Sequence, residues 1–148
     1  MSFMFMGEYQ HNLDAKGRVF VPARLRDGLG DSFILTKGLD GCLFAFPTGE
    51  WQALEQKLKA HSFTNRDARK FLRFFFSGAV ECEIDKHGRT LVPPKLREHA
   101  KLNKEAVIIG VSTRVEVWSA EVWEEYKNNA AASYEDVAEK IIEDNPGL

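Results

Sequence analysis

The sequence predicts an α+β fold: two tandem copies of one small β-rich module, with helices between and after them. Three observations predict it. A stretch near the N-terminus recurs in the second half of the chain, short apolar runs bounded by turn residues recur in the same order around it, and apolar residues at helical spacing fall between and after the copies.

The repeat comes first because it organises the rest. Residues 14–26, DAKGRVFVPARLR, lie over residues 85–97, DKHGRTLVPPKLR, with identical Asp, Gly, Arg, Val, Pro, Leu and Arg in seven of the thirteen columns. Unrelated sequences of average composition share about one. Upstream, Phe5 and Gly7 fall on Phe76 and Gly78; downstream, Gly38 meets Gly110, Phe46 meets Trp118 and Trp51 meets Trp123. The expected modules are 8–50 and 79–122, with a helical linker at 51–78 and a helical tail at 123–148.

Each element follows in order. Residues 9–13 and 80–84 read as short strands. Asp-x-x-Gly then makes a tight turn: Asp14 and Asp85 accept hydrogen bonds from N–H groups ahead of them, and Gly17 and Gly88 take φ > 0. Second strands follow at 18–21 and 89–92. Proline ends each and opens a short helix. Two further strands, 32–35 with 43–46 and 106–109 with 115–118, are joined by Gly- or Ser-containing turns. Thr48 and Ser119 are expected N-caps, with Glu50 and Glu121 in the first turn. Trp51, Leu54 and Leu58 keep helical spacing, as do Val122, Trp123 and Tyr126. The linker helix is expected over 65–76, its apolar set of Ala68, Phe71, Leu72, Phe75 and Phe76 wide for one-sided packing. A last helix is expected to start at a Ser133-x-x-Asp136 cap and to carry Tyr134, Val137, Ala138, Ile141 and Ile142 as one stripe.

Composition narrows the function. At 148 residues and 44% hydrophobic, the chain can bury a sizeable core. No apolar run approaches the roughly 20 residues a membrane span needs, and the apolar start lacks a basic flank and a cleavage site. Cys42 and Cys82 have no paired-ligand spacing, so free thiols in a reducing cytoplasm are expected. No metal and no cofactor is expected. The net charge of −2 hides an asymmetry. Residues 57–73 carry six basic side chains against Asp67, whereas residues 116–148 carry nine acidic ones against Lys127 and Lys140. Local fields, not net charge, steer a polyanion to a surface.

Three readings of the repeated Asp-x-x-Gly-Arg compete. In the first it is only a hairpin turn with a surface arginine. In the second it belongs to a basic β-hairpin surface that contacts DNA. Turn chemistry does not require Arg18 and Arg89, nor the basic pairs Arg24/Arg26 and Lys95/Arg97, and Lys16 and Lys86 flank the turns. B-DNA's major groove admits a two-stranded ribbon, arginine reads guanine bidentately, and lysine holds phosphate. The aspartates can orient the arginines as well as set the turn. In the third reading Asp14 and Asp85 are a catalytic pair, with His11, His61, His87 and His99 as bases or ligands. No H-E-x-x-H, C-x-x-C, G-x-S-x-G or Walker loop supports it, so no enzyme is expected.

The run Gly7-Glu8-Tyr9, Leu13 to Arg18 and Val21 to Arg26, repeated around Asp85-Lys86-His87-Gly88-Arg89, resembles the bacterial MraZ family. The resemblance covers nearly the whole chain, apart from the tail after about residue 127. It implies two SpoVT/AbrB-like modules forming a pseudo-dimeric swapped-hairpin β-barrel. It also implies a ring-shaped homo-oligomer, cytoplasmic and nucleoid-associated. Such a ring would bind repeated double-stranded promoter elements upstream of the division and cell-wall gene cluster, including the regulator's own gene. The family's DNA contacts carry over to Lys16 and Arg18, and next to Arg89. His87 in the Lys16 column and Pro94 in the Ala23 column make the two copies unequal. Two other readings stay open: an AbrB-type antitoxin-like regulator, usually one module with a disordered tail, and a purely structural ring-forming protein.

Overall fold

A computed structural model describes residues 3–61 and 64–147. Part of the expected linker and the last residue of the expected tail lie outside the described residues. The elements run β1 (Glu8–Asn12), β2 (Arg18–Phe20), α1 (Ala23–Leu29), β3 (Ser32–Lys37), β4 (Leu43–Pro47), α2 (Thr48–Lys59) and α3 (Arg66–Ser77). The second copy gives β5 (Val80–Glu83), β6 (Arg89–Leu91), α4 (Pro94–His99), β7 (Glu105–Val111), β8 (Arg114–Ser119) and α5 (Ala120–Asp144). The fold is α+β, and every strand pair in it is antiparallel.

Strand order shows why the repeat matters. A six-stranded sheet runs β1-β7-β8-β4-β3-β5, and a separate ribbon pairs β2 with β6. The first strand of each copy therefore pairs with the third strand of the other: Tyr9 faces Ile108, and Val80 faces Leu35. The order reads the same from either edge once equivalent strands are exchanged. Its centre is the β4–β8 pair, where Phe44 faces its own counterpart Glu116. In the ribbon, Val19 faces its counterpart Thr90. A pseudo-twofold axis thus relates the copies. Neither sheet closes on itself among the described residues.

Burial follows this exchange. One core cluster joins Val19, Val21 and Leu25 of the first copy to Val92, Leu96 and Ile108 of the second, under the ribbon. A second cluster lies on the other face of the sheet. There Phe44, Phe46, Val107 and Trp118 meet Trp51 of α2, Phe75 of α3 and Trp123 of α5. Thr36 Oγ1 donates to the Phe75 carbonyl oxygen at 2.7 Å in this buried layer, tying α3 to β3. Glu116, buried on β8, accepts from Trp118 Nε1 at 3.0 Å and pairs with Arg114 at 2.8 Å.

Several expectations need correction. The last helix does not start at Ser133: α5 runs unbroken for 25 residues, and Ser133 Oγ donates to the Asn129 carbonyl one turn back. The intervening Ala130–Ala131–Ala132 run explains this, since alanine has the highest helix propensity. Thr48 is the first residue of α2 rather than its cap, a position Pro47 takes; Ser119 does precede α5 but makes no side-chain cap bond. Asn65 caps α3, accepting from the Ala68 N–H at 3.0 Å. The linker helix divides its aromatic side chains. Phe75 is buried, with Trp51 stacked on it, whereas Phe71 and Phe74 stay exposed.

Candidate nucleic-acid interface

The two Asp-x-x-Gly turns close in the same way. Asp14 Oδ1 accepts from the Lys16 and Arg18 N–H groups at 3.0 and 2.9 Å, and Asp85 Oδ1 from those of His87 and Arg89 at 2.9 Å each. Gly17 and Gly88 take φ of +84° and +80°, which a residue without Cβ adopts at no steric cost. The second carboxylate oxygen then takes the arginine head: Asp14 Oδ2 accepts from Arg18 Nε at 2.7 Å, and Asp85 Oδ2 from Arg89 Nε at 3.2 Å. The Arg18 and Arg89 backbone N–H groups, more than any other cause, hold the Asp14 and Asp85 carboxyls below the usual carboxylate range.

The ribbon brings these pairs together. Val19 and Thr90 point into the core, so Arg18, Phe20, Arg89 and Leu91 alternate to the outer face. Arg89 Nη1 reaches Asp14 Oδ2 at 3.9 Å, so arginines of both copies converge on one carboxylate near the pseudo-twofold axis. The Arg18 side chain is 27% exposed and braced by Asp14. Phe20 is flanked by His11, with ring centroids 4.9 Å apart, and by Arg26, whose guanidinium carbon sits 5.2 Å from the ring.

Not all the sequence-predicted basic residues share this face. Lys16 and Lys86 are exposed on the turns, and Arg24 and Lys95 on the first turns of α1 and α4. Arg26 and Arg97 are half-buried and cross to the opposite copy. A Cβ at Gly17 would collide with the Arg97 guanidinium, and one at Gly88 with that of Arg26. The backbone repeats the exchange: Val92 N–H donates to Gly17 O at 3.0 Å, and Val21 N–H to Gly88 O at 2.8 Å. Each turn is therefore shaped by the other copy. Linear sequence carries no signal for this, because it depends on β2 pairing with β6.

The catalytic reading gains nothing from this geometry. Both aspartates are engaged by turn N–H groups and arginines. Among the described residues no group of three or more His, Cys, Asp or Glu could hold a metal ion. Burial pushes the Cys82 thiol up to about 11 and raises Cys42 as well, so neither is a thiolate at neutral pH. No helix of the described residues is long and apolar enough to cross a membrane.

Comparison with known proteins adds a second line of evidence. The profile of the family described as MraZ protein, antitoxin-like, matches twice, over residues 4–74 and 75–145. The second match reaches well beyond residue 127, where the resemblance legible in the motifs stops. A protein named transcriptional regulator MraZ from Pelotomaculum thermopropionicum is 67% identical over 145 residues, covering 98% of this chain and all of its own. Those of the same name from Desulforamulus reducens and Desulfitobacterium hafniense are 64% and 57% identical. They cover 95% and 94% of this chain, and 99% and 97% of their own.

Proposed function

The chain belongs to the MraZ family, and from that premise we propose that it is a sequence-specific DNA-binding transcriptional regulator whose contact surface is the β2–β6 ribbon. One observation carries the reading: the Asp–Arg pairs of both copies sit on the outer face of one two-stranded ribbon, around a pseudo-twofold axis. A ribbon of this kind fits the major groove, where arginine reads guanine and its carboxylate partner fixes the fork before contact. Arg18 and Arg89 are the base-reading residues. Lys16, Lys86, Arg24 and Lys95 contact phosphates, and Arg26 and Arg97 hold the turns Asp14–Gly17 and Asp85–Gly88 in shape. The role is binding, not catalysis.

The finer features follow the family resemblance. The sheet and the ribbon act as two walls of a swapped-hairpin β-barrel of the SpoVT/AbrB type, with modules at 8–50 and 79–122, the linker at 51–78 and the tail at 123–148. The exchanged first strands and the shared core beneath the ribbon support that reading. The protein works in the cytoplasm at the nucleoid as a homo-oligomeric ring. Its targets are repeated promoter elements of the division and cell-wall gene cluster, its own gene's included.

The test is binding to its own promoter by fluorescence anisotropy. Arg18→Ala is expected to cost about 1–3 kcal/mol per copy engaged with an unchanged melting curve. Arg89→Ala is expected to cost less, because its link to Asp85 is longer and its copy carries His87 in place of Lys16. Full affinity in folded Arg18→Ala/Arg89→Ala protein would overturn the assignment of the ribbon.

A further inference from the structure

The end of α5 stands apart from the rest of the chain. Its first turns are anchored by Val122 and Trp123 in the core layer. From residue 128 to 144 every side chain is exposed except the half-buried Ala138. At 1.5 Å per residue this is an overhang of about 25 Å. It carries an apolar stripe of Tyr134, Val137 and Ile141, with Tyr134 74% exposed. Around the stripe lie Glu135, Asp136, Glu139, Glu143 and Asp144 against Lys140 alone. An apolar stripe on a helix extending into water calls for a covering surface.

The outer face of α3 is the opposite in charge and alike in apolarity. Phe71 and Phe74 are exposed there, Phe74 by 56%. Arg66, Arg69, Lys70 and Arg73 surround them against Asp67, and Lys37 Nζ lies 3.5 Å from the Phe74 ring centroid. Among the described residues both surfaces keep large exposed apolar side chains.

We propose that the distal half of α5, residues 133–144, docks on the outer face of α3 of a second copy of this chain, head to tail. The proposal rests on the homo-oligomer reading above and names its interface. Charge selects the partner. Two α5 ends would set acid against acid, and two α3 faces base against base, whereas α5 on α3 pairs opposite signs along both flanks of an apolar seam. Because donor and acceptor surfaces differ, the contact is heterologous, and it repeats until the rotation closes a ring.

The full chain tests this by sedimentation in three charge-reversed forms: Lys70→Glu/Arg73→Glu, Glu139→Lys/Glu143→Lys, and all four together. The unsubstituted chain is expected to sediment as an oligomer and each double variant as a smaller species. An equimolar mixture of the two double variants, and the fourfold variant alone, should regain the full size. Circular dichroism checks the fold; if a double variant melts early, Phe74→Ser and Ile141→Ser replace it, each expected to dissociate. A Lys70→Glu/Arg73→Glu protein that keeps its full size overturns the proposal, and so does failure of both the mixture and the fourfold variant to reassemble. A monomeric unsubstituted chain overturns this proposal and the oligomer reading together. An oligomer unchanged by any variant overturns the interface alone.

Discussion

If the ribbon reads bases as proposed, Arg18 meets two demands: to be held by Asp14 in the free protein and to be released toward a base edge when DNA arrives. Replacing it with lysine keeps the charge and loses the planar fork. Arg18→Lys is therefore expected to retain the salt dependence of binding while discriminating promoter from random duplex less, which competition titrations would measure. Asp14→Asn keeps an oxygen for the turn N–H groups but removes the charge that braces the guanidinium. Its melting curve should stay close to that of the unsubstituted protein while promoter affinity falls; a rise in affinity would show that Asp14 restrains Arg18 rather than orienting it. Acid gives the same contrast. The Asp14 and Asp85 carboxyls lie below their unfolded values, so their contribution to stability is complete above the usual carboxylate pKa. It is lost progressively as pH falls below the unfolded values and through the lowered folded ones. Carboxyl chemical shifts followed by NMR should thus stay flat from neutral pH down to the usual carboxylate range. A midpoint at or above that range would contradict the turn geometry. At this scale the sequence was informative about chemistry and silent about direction. Asp-x-x-Gly announces a turn with its acceptor and its φ > 0 residue. Nothing in Arg26 or Arg97 distinguishes a side chain facing DNA from one lying over the opposite copy's glycine.

Elements were legible wherever period and punctuation agree. Each of the eight strands falls within about two residues of its expected place, because turn residues flank apolar runs too short for helices. The misreadings occur where a local signal has a rival. Ser133-x-x-Asp136 has the form of a cap, but a helix already running through three alanines needs no new start. Thr48 is a good cap residue, but Pro47 in front of it, with φ of −57° and ψ of 151°, already sets the entry. The placement of α3 is open to a direct test. Thr36→Val removes the donor to the Phe75 carbonyl and leaves that oxygen buried with one partner fewer, at a cost of about 1–3 kcal/mol. Amide exchange should then rise first in α3, with the β2–β6 ribbon unaffected. Uniform destabilisation across the chain would mean that Thr36 acts through the sheet instead.

At the scale of the whole molecule, a net charge of −2 gives no general attraction to DNA, and in the proposed oligomer several ribbons would act at once. Reducing a multi-element duplex to one element is expected to weaken binding by a factor on the order of 10²–10⁴. The slope of log affinity against log salt should grow by about 0.9 for each phosphate engaged. A single element bound as tightly as the array would argue against multivalency. The duplication was legible because it is written twice in one dimension. The exchange of first strands was not legible in the repeat itself, which is equally compatible with two modules folded side by side, and entered only through the family resemblance. That exchange also constrains how the protein is made. Asn12 of β1 pairs with Glu105 of β7, and a ribosome adding about 5–20 residues per second needs several seconds to synthesise the chain between them. Throughout that interval β1 has emerged without its partner, and β3 waits likewise for β5. The first copy therefore cannot finish folding as it leaves the ribosome, and a nascent chain halted before residue 105 should remain open to proteases along β1.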